Sequence, residues 1–134
     1  MTWMNRLAKK KGNKYGAKET ICSAGHPHPS GLEAAVCELL ILREKAGDIR
    51  NLKYQETLHL AYGVKWKVDW SFEQGPNWIP SFAEAKGKDT ADFRLKLRMF
   101  KEGCGKGPLE LWRGTHRRPY LEKMIHPKEK EWEK

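Results

Sequence analysis

The 134-residue chain has no apolar run long enough to span a bilayer, and it contains only three cysteines, Cys22, Cys37 and Cys104. The first absence argues against a membrane-spanning helix. The odd number and wide spacing of the cysteines argue against a disulfide framework and fit a reducing compartment with free thiols. The opening stretch MTWMNRLAKKKGNKYGAK lacks the apolar centre of a secretory signal, so the expected location is the cytosol. Internal repeats and low-complexity blocks are missing too, and the length suits one domain with a modest core. Acidic residues are in deficit: 17 Asp plus Glu stand against 26 Lys plus Arg, a net charge of +9. Such an imbalance points to a polyanionic partner, with nucleic acid ahead of an anionic membrane surface.

Residues 1–18 form a basic arm carrying Lys9, Lys10, Lys11 and Lys14, better suited to phosphates than to a core; a solvated tail is the other reading. From Ser30 the pattern turns helical, with Leu32, Val36, Leu39 and Leu40 at helical spacing and Gly47 as the stop. A first strand follows, with Leu52, Tyr54, Leu58 and Leu60 on one face and Lys53, Gln55, Thr57 and His59 on the other. VKWKVDWSF alternates more cleanly, placing Val64, Trp66, Val68, Trp70 and Phe72 on one side and Asp69 on the other. EQGPN supplies turn chemistry, and WIPSFAEAK completes an antiparallel hairpin. In KDTADFRLKLRMFKEG, Phe93, Leu97 and Phe100 recur at helical spacing beside a basic face of Arg94, Lys96, Arg98 and Lys101. LELWR reads as a fourth strand. The Pro- and charge-rich residues 114–134 read as an appendage with weak helical tendency, which leaves 19–113 as the domain proper.

Within SFAEAKGKDT, Glu84 and Lys86 point to one face of a strand and Ala83 and Ala85 to the other. Pairing with the preceding strand brings Asp69 to the side of Glu84 and Lys86. Two carboxylates near a lysine, in a basic protein, make a hard-cation site for Mg²⁺, with Mn²⁺ able to substitute. Phosphodiester hydrolysis is the chemistry such a site supports. The metal polarises a phosphoryl oxygen and acidifies a bound water, while Lys86 orients that water or offsets the growing negative charge.

These residues, Val68-Asp69 followed by Glu84-Ala85-Lys86 within a helix, three strands, a helix and a strand, resemble the PD-(D/E)XK nuclease superfamily. The details are most similar to a small phage-encoded group and to archaeal-type Holliday junction resolvases: KYGAK near the start, Ser30-x-Leu32-Glu33-Ala34, Gln55 on the first strand, and a basic helix after the Glu-x-Lys strand. Val68 stands where the family usually has proline. The resemblance implies an α/β fold with a restriction-endonuclease-like α-β-β-β-α-β core, its central mixed sheet flanked by helices. It further implies an Mg²⁺-dependent endodeoxyribonuclease acting on branched DNA in recombination, working as a homodimer in the host-cell cytoplasm. By the same resemblance Asp69, Glu84, Glu33 and the carbonyl of Ala85 hold metal, Lys86 assists the water, and Gln55, Lys88 and the basic residues of the arm and second helix contact DNA.

Each of these residues also has a plainer use. Asp69 suits a solvated polar face, and Glu84 with Lys86 a surface ion pair, although the small Ala83 and Ala85 suit a central strand covered by a helix. Glu33 lies in a capping box with Ser30, where its carboxylate reaches back to the Ser30 amide. Cys22, His26 and His28, with Cys37 or Cys104, provide four zinc ligands, but their spacing fits no standard knuckle and the prolines of HPHP restrict how the imidazoles converge. A loop beside the cleft, with a histidine touching phosphate, is the competing use. GCGKG lacks the Ser/Thr of a phosphate loop and follows a helix, so it reads as a turn. Trp66 and Trp70 suit the core, leaving Trp3, Trp78, Trp112 and Trp132 as possible stacking platforms. A non-catalytic DNA-binding accessory protein is the alternative function.

Overall fold

The computed structural model describes residues 20–104 and 106–128. Lys9, Lys10, Lys11 and Lys14, together with Trp3 and Trp132, lie outside them. Helix α1 (Gly31–Lys45) begins where Ser30 adopts an extended backbone and its Oγ accepts the Glu33 N–H at 3.2 Å, satisfying one of the free amides of the first turn. It stops at Gly47, whose φ of +85° lets the Asp48 N–H return to the Arg43 carbonyl at 3.0 Å.

Before α1, two short strands, β1 (Thr20–Ile21) and β2 (Pro27–His28), pair antiparallel in a small separate sheet. After it, β3 (Ile49–His59), β4 (Lys65–Gln74) and β5 (Ile79–Ala85) run antiparallel in sequence order. Helix α2 (Ala91–Met99), capped by Thr90 Oγ1 on the Phe93 N–H at 3.1 Å, then crosses over to β6 (Leu109–Gly114), which lies parallel to β5. The final strand, β7 (Pro119–Ile125), pairs antiparallel with β6 and closes a five-stranded mixed sheet of order β3-β4-β5-β6-β7. Among the described residues no helix is long and apolar enough to cross a membrane.

The sheet divides the core into two layers. On one face Phe93, Leu97 and Phe100 pack on Trp66, Val68, Phe82, Leu109, Leu111 and Ile125. On the other, Leu32, Val36, Cys37 and Leu40 of α1 pack on Ile49, Trp70, Phe72 and Ala83. Ala83 is fully buried there, and its small side chain allows α1 to lie close, as its position in a central strand requires.

Two expectations are corrected. The apolar residues of β3 and β4 do not share one face: Leu58, Leu60, Trp66 and Val68 face α2, whereas Leu52, Tyr54, Trp70 and Phe72 face α1. The change of side falls at Gln55 and Asp69, between the paired Tyr54–Trp70 and Glu56–Val68, where Gln55 takes φ +63° and regular pleating lapses. Nor does the chain beyond Arg113 stand apart as an appendage, because β7 extends the sheet and buries Ile125. β7 contributes that one anchor and leaves Tyr120, Leu121 and Met124 exposed, so its sequence carries little strand periodicity.

Candidate functional site

The lapse in pleating builds the site. The β4–β5 ladder ends at the pair Trp70–Ala83, and beyond it the two strands exchange side-chain bonds in place of backbone bonds. The Asp69 N–H donates to Glu84 Oε1 at 2.9 Å, and the Ala85 N–H donates to Asp69 Oδ2 at 2.9 Å. Each carboxylate thus occupies the amide that its neighbour strand leaves unpaired, which fixes both acids at one fork in the sheet. Glu84 is 3% exposed, too deep for a solvated surface ion pair.

Lys86 continues from the same strand. Its N–H donates to the Trp112 carbonyl at 3.0 Å, and its Nζ lies 3.8 Å from Glu84 Oε2 and 5.2 Å from the centre of the Phe93 ring. Arg113 secures the segment that follows. It donates to the Lys86 carbonyl at 3.2 Å, pairs with Asp89 at 2.7 Å and pairs also with Glu122 of β7.

Glu33 approaches from α1. Its amide completes the Ser30 cap, but the reciprocal half of the capping box does not form: Glu33 Oε2 lies 2.6 Å from His28 Nδ1 and accepts the Tyr54 hydroxyl at 2.8 Å. The buried His28 and the half-buried Tyr54 hydroxyl hold this carboxylate in place of the Ser30 amide. It lies near enough to Asp69 for its charge to be felt there.

The electrostatics follow from this crowding. Burial first, then the negative charges of Glu84 and Glu33, push the Asp69 carboxyl well above the usual carboxylate range. Burial pushes Glu84 up as well, with the Lys86 ammonium drawing it back. Tyr54 is raised by burial and by its bond to Glu33, so it stays a donor. Three acids at one fork with, among the described residues, a single adjacent lysine leave negative charge that a divalent cation would neutralise, and carboxylate oxygens are the ligands that Mg²⁺ and Mn²⁺ prefer.

Compared with family models, with curated proteins and with solved structures, the chain matches none.

The other residues expected at the site are placed as follows. Ala85 follows Glu84 and donates its N–H to Asp69. Gln55 is exposed on β3 at the position facing Asp69. Lys88, Arg94, Arg98 and Lys101 are exposed along the segment from β5 through α2, while Lys96 pairs with Asp92 at 3.0 Å. Trp66 and Trp70 are core residues; Trp78 lies under the Arg50 guanidinium at 4.2 Å, and Trp112 donates from its indole to Glu110 at 3.1 Å.

Sequence reasoning weighed His28 only for zinc or phosphate and gave Tyr54 and Arg113 no role at the site, yet these three orient the acids and the lysine. Tyr54 carried no signal of this, because the break beside it at Gln55 shows only in the backbone of the fold. It also set aside the convergence of Cys22, His26, His28 and Cys37, which the fold brings together. The prolines do not keep the imidazoles apart. Pro27 favours an extended backbone before it, and in an extended segment residues 26 and 28 share one face.

Proposed function

We propose that this chain is a divalent-metal-dependent endodeoxyribonuclease of the PD-(D/E)XK type, with a restriction-endonuclease-like core. The observation that carries the reading is the reciprocal bonding of Asp69 and Glu84 across the β4–β5 fork, beside Lys86 and within reach of Glu33. The order of elements supports it: a helix, three antiparallel strands, a crossover helix and a parallel strand place the aspartate and the Glu-x-Lys segment on adjacent central strands.

In this reading Asp69 and Glu84, with the Ala85 carbonyl and Glu33, would hold Mg²⁺, which would supply a Lewis acid for the scissile phosphate and a more acidic water. Lys86, close to Glu84 and backed by the Phe93 ring, orients that water or stabilises negative charge in the transition state. Arg94 and Arg98 on α2, Lys101 just after it, Lys88 before it, and the lysines of the N-terminal arm engage the DNA backbone. Gln55 lines the cleft opposite Asp69. Branched DNA is the proposed substrate, cut by a homodimer because two symmetric incisions across a junction need two such sites.

The test is incubation with a synthetic four-way junction and with linear duplex of matched sequence, each with Mg²⁺, Mn²⁺ or chelator. Cation-dependent cutting that favours the junction is expected. Tight, salt-sensitive binding without incision under either cation points instead to the non-catalytic DNA-binding module.

A further inference from the structure

On the α1 side of the sheet, behind the acids, the β1–β2 hairpin wraps a turn onto the helix. Residues 22–25 close it: the Gly25 N–H donates to the Cys22 carbonyl at 2.9 Å, and the Cys22 N–H donates to the His26 carbonyl at 3.0 Å. Gly25 takes φ +85°, the left-handed conformation such a return needs. Glu38 of α1 ties the turn down, its carboxylate accepting both the backbone N–H and the hydroxyl of Ser23. Cys22 and His26 thereby come together. His28 follows two residues on in β2, and Cys37 rises from the second turn of α1 to meet them.

One ligand atom from each of Cys22, His26, His28 and Cys37 lies within 4.8 Å of every other. The two sulfurs are 3.8 Å apart. That is far beyond the roughly 2.05 Å of a disulfide. It is the separation of two thiolates bound to one tetrahedral zinc, since Zn–S bonds of about 2.3 Å at a tetrahedral angle span about 3.8 Å.

The imidazoles carry a second, independent sign. Among the described residues, His26 Nδ1 and His28 Nε2 are buried with no hydrogen-bond partner, a costly condition for a ring nitrogen. His28 uses its other nitrogen, Nδ1, on Glu33 at 2.6 Å. A carboxylate on one imidazole nitrogen, with the opposite nitrogen buried and unbonded in a histidine that converges with two thiols, is the arrangement that orients a metal-bound histidine.

We propose that Cys22, His26, His28 and Cys37 bind one zinc ion in a closed Cys₂His₂ site that locks the β1–β2 hairpin onto α1. Two sulfurs and two imidazole nitrogens favour zinc over the hard cations suited to Asp69 and Glu84, so the two clusters bind different metals. Four protein ligands leave no position for substrate, which makes the site structural. Its mechanical consequence reaches the acids: zinc on Nε2 fixes the His28 tautomer with the proton on Nδ1, and that proton holds Glu33 in place.

The test is elemental analysis of the full chain, purified under reducing conditions without chelator. One zinc per chain is expected. Replacing that zinc with Co²⁺ should give the visible d–d absorption of a tetrahedral ion together with thiolate charge-transfer bands. The Cys22→Ser/Cys37→Ser double variant should lose both signals, whereas Cys104→Ser and Asp69→Asn keep them. Because the double variant has the option of not folding, the cobalt spectrum of the unaltered chain decides independently. Glu33→Gln should bind zinc 10–100-fold more weakly, the usual cost of losing a carboxylate behind a ligating histidine. Absence of zinc together with absence of cobalt–thiolate absorption overturns the proposal, as does zinc that leaves with Asp69→Asn but stays in the double cysteine variant. Unchanged zinc affinity in Glu33→Gln overturns the link to the acids.

Discussion

Two clusters of side chains able to ligate metal sit back to back through Glu33. On one side are the carboxylates of Asp69 and Glu84 with Lys86; on the other are two thiols and two imidazoles. The oxygen cluster already has hydrogen bonds for the atoms that face the fork, and what it lacks is positive charge. The Cys/His cluster has little formal charge but, among the described residues, leaves two buried ring nitrogens unpartnered. An unbalanced charge tolerates a hydrated, exchangeable cation, whereas orphaned donor atoms call for a fixed inner-sphere ion. On the two proposals, a labile catalytic metal and a permanent structural one are expected on opposite sides of Glu33, linked through the His28–Glu33 bond.

The largest effect that would sharpen this contrast is on cutting. Asp69→Asn and Glu84→Gln should each lower the cleavage rate about a thousandfold or more, since the metal's contribution to the transition state is worth several kcal/mol. Both should retain or improve DNA affinity, because each removes negative charge. Single-turnover cleavage beside a binding titration measures the two effects, and cutting unaffected in both variants would place the chemistry elsewhere. The second effect is on stability: stripping zinc with a strong chelator should cost about 4 kcal/mol, the mass-action stabilisation at a thousandfold excess over Kd. For a chain of this size that lowers Tm on the order of 10–20 °C. Thermal unfolding should give the same loss in Asp69→Asn; a loss that disappears in that variant would merge the two clusters into one.

How much of this was legible depends on whether regular periodicity carried it. The Glu84-Ala85-Lys86 strand, its small residues against α1, and the helical spacing of Phe93, Leu97 and Phe100 all lie in elements that obey their period, and they are buried or paired accordingly. The change of side at Gln55 and Asp69 was hidden because alternation assumes an unbroken pleat, and a positive φ at a glutamine leaves no mark in composition. The capping box was half right: Ser30 caps α1, but the Glu33 side chain answers to His28 and Tyr54, which meet it only in the fold. The Cys/His cluster joins a turn, a two-residue strand and a helix, and no linear spacing encodes their meeting.

A third experiment tests the claim that the oxygen cluster lacks charge. The folded state holds the Asp69 proton to higher pH than the unfolded chain does. Stability therefore falls as pH rises from the ordinary carboxylate value near 4 through the raised one. In the absence of divalent cation, Asp69→Asn should then be more stable than the unaltered chain at neutral pH, with the difference shrinking as the pH is lowered toward 4. Mg²⁺ at about a hundredfold excess over Kd should stabilise the unaltered chain by about 2.7 kcal/mol and Asp69→Asn by much less. Melting curves across pH, with and without Mg²⁺, read both differences. A variant less stable than its parent at neutral pH would mean that the Ala85–Asp69 bond outweighs the repulsion.

The smallest effect separates the two sides of Glu33. Tyr54→Phe removes one of the donors that hold its carboxylate and leaves the His28 bond in place. A hydrogen bond to a charged group is worth about 1.5–3 kcal/mol, but the fold is pinned by many other contacts, so the loss should show mainly where the carboxylate must be aimed. Cleavage should fall about tenfold with zinc content unchanged, and higher Mg²⁺ should recover part of the rate, because a loosened Glu33 weakens metal binding more than it alters the chemistry. If Tyr54→Phe instead lost zinc and kept its rate, Glu33 would belong to the Cys/His cluster alone, and the acids at the fork would number two.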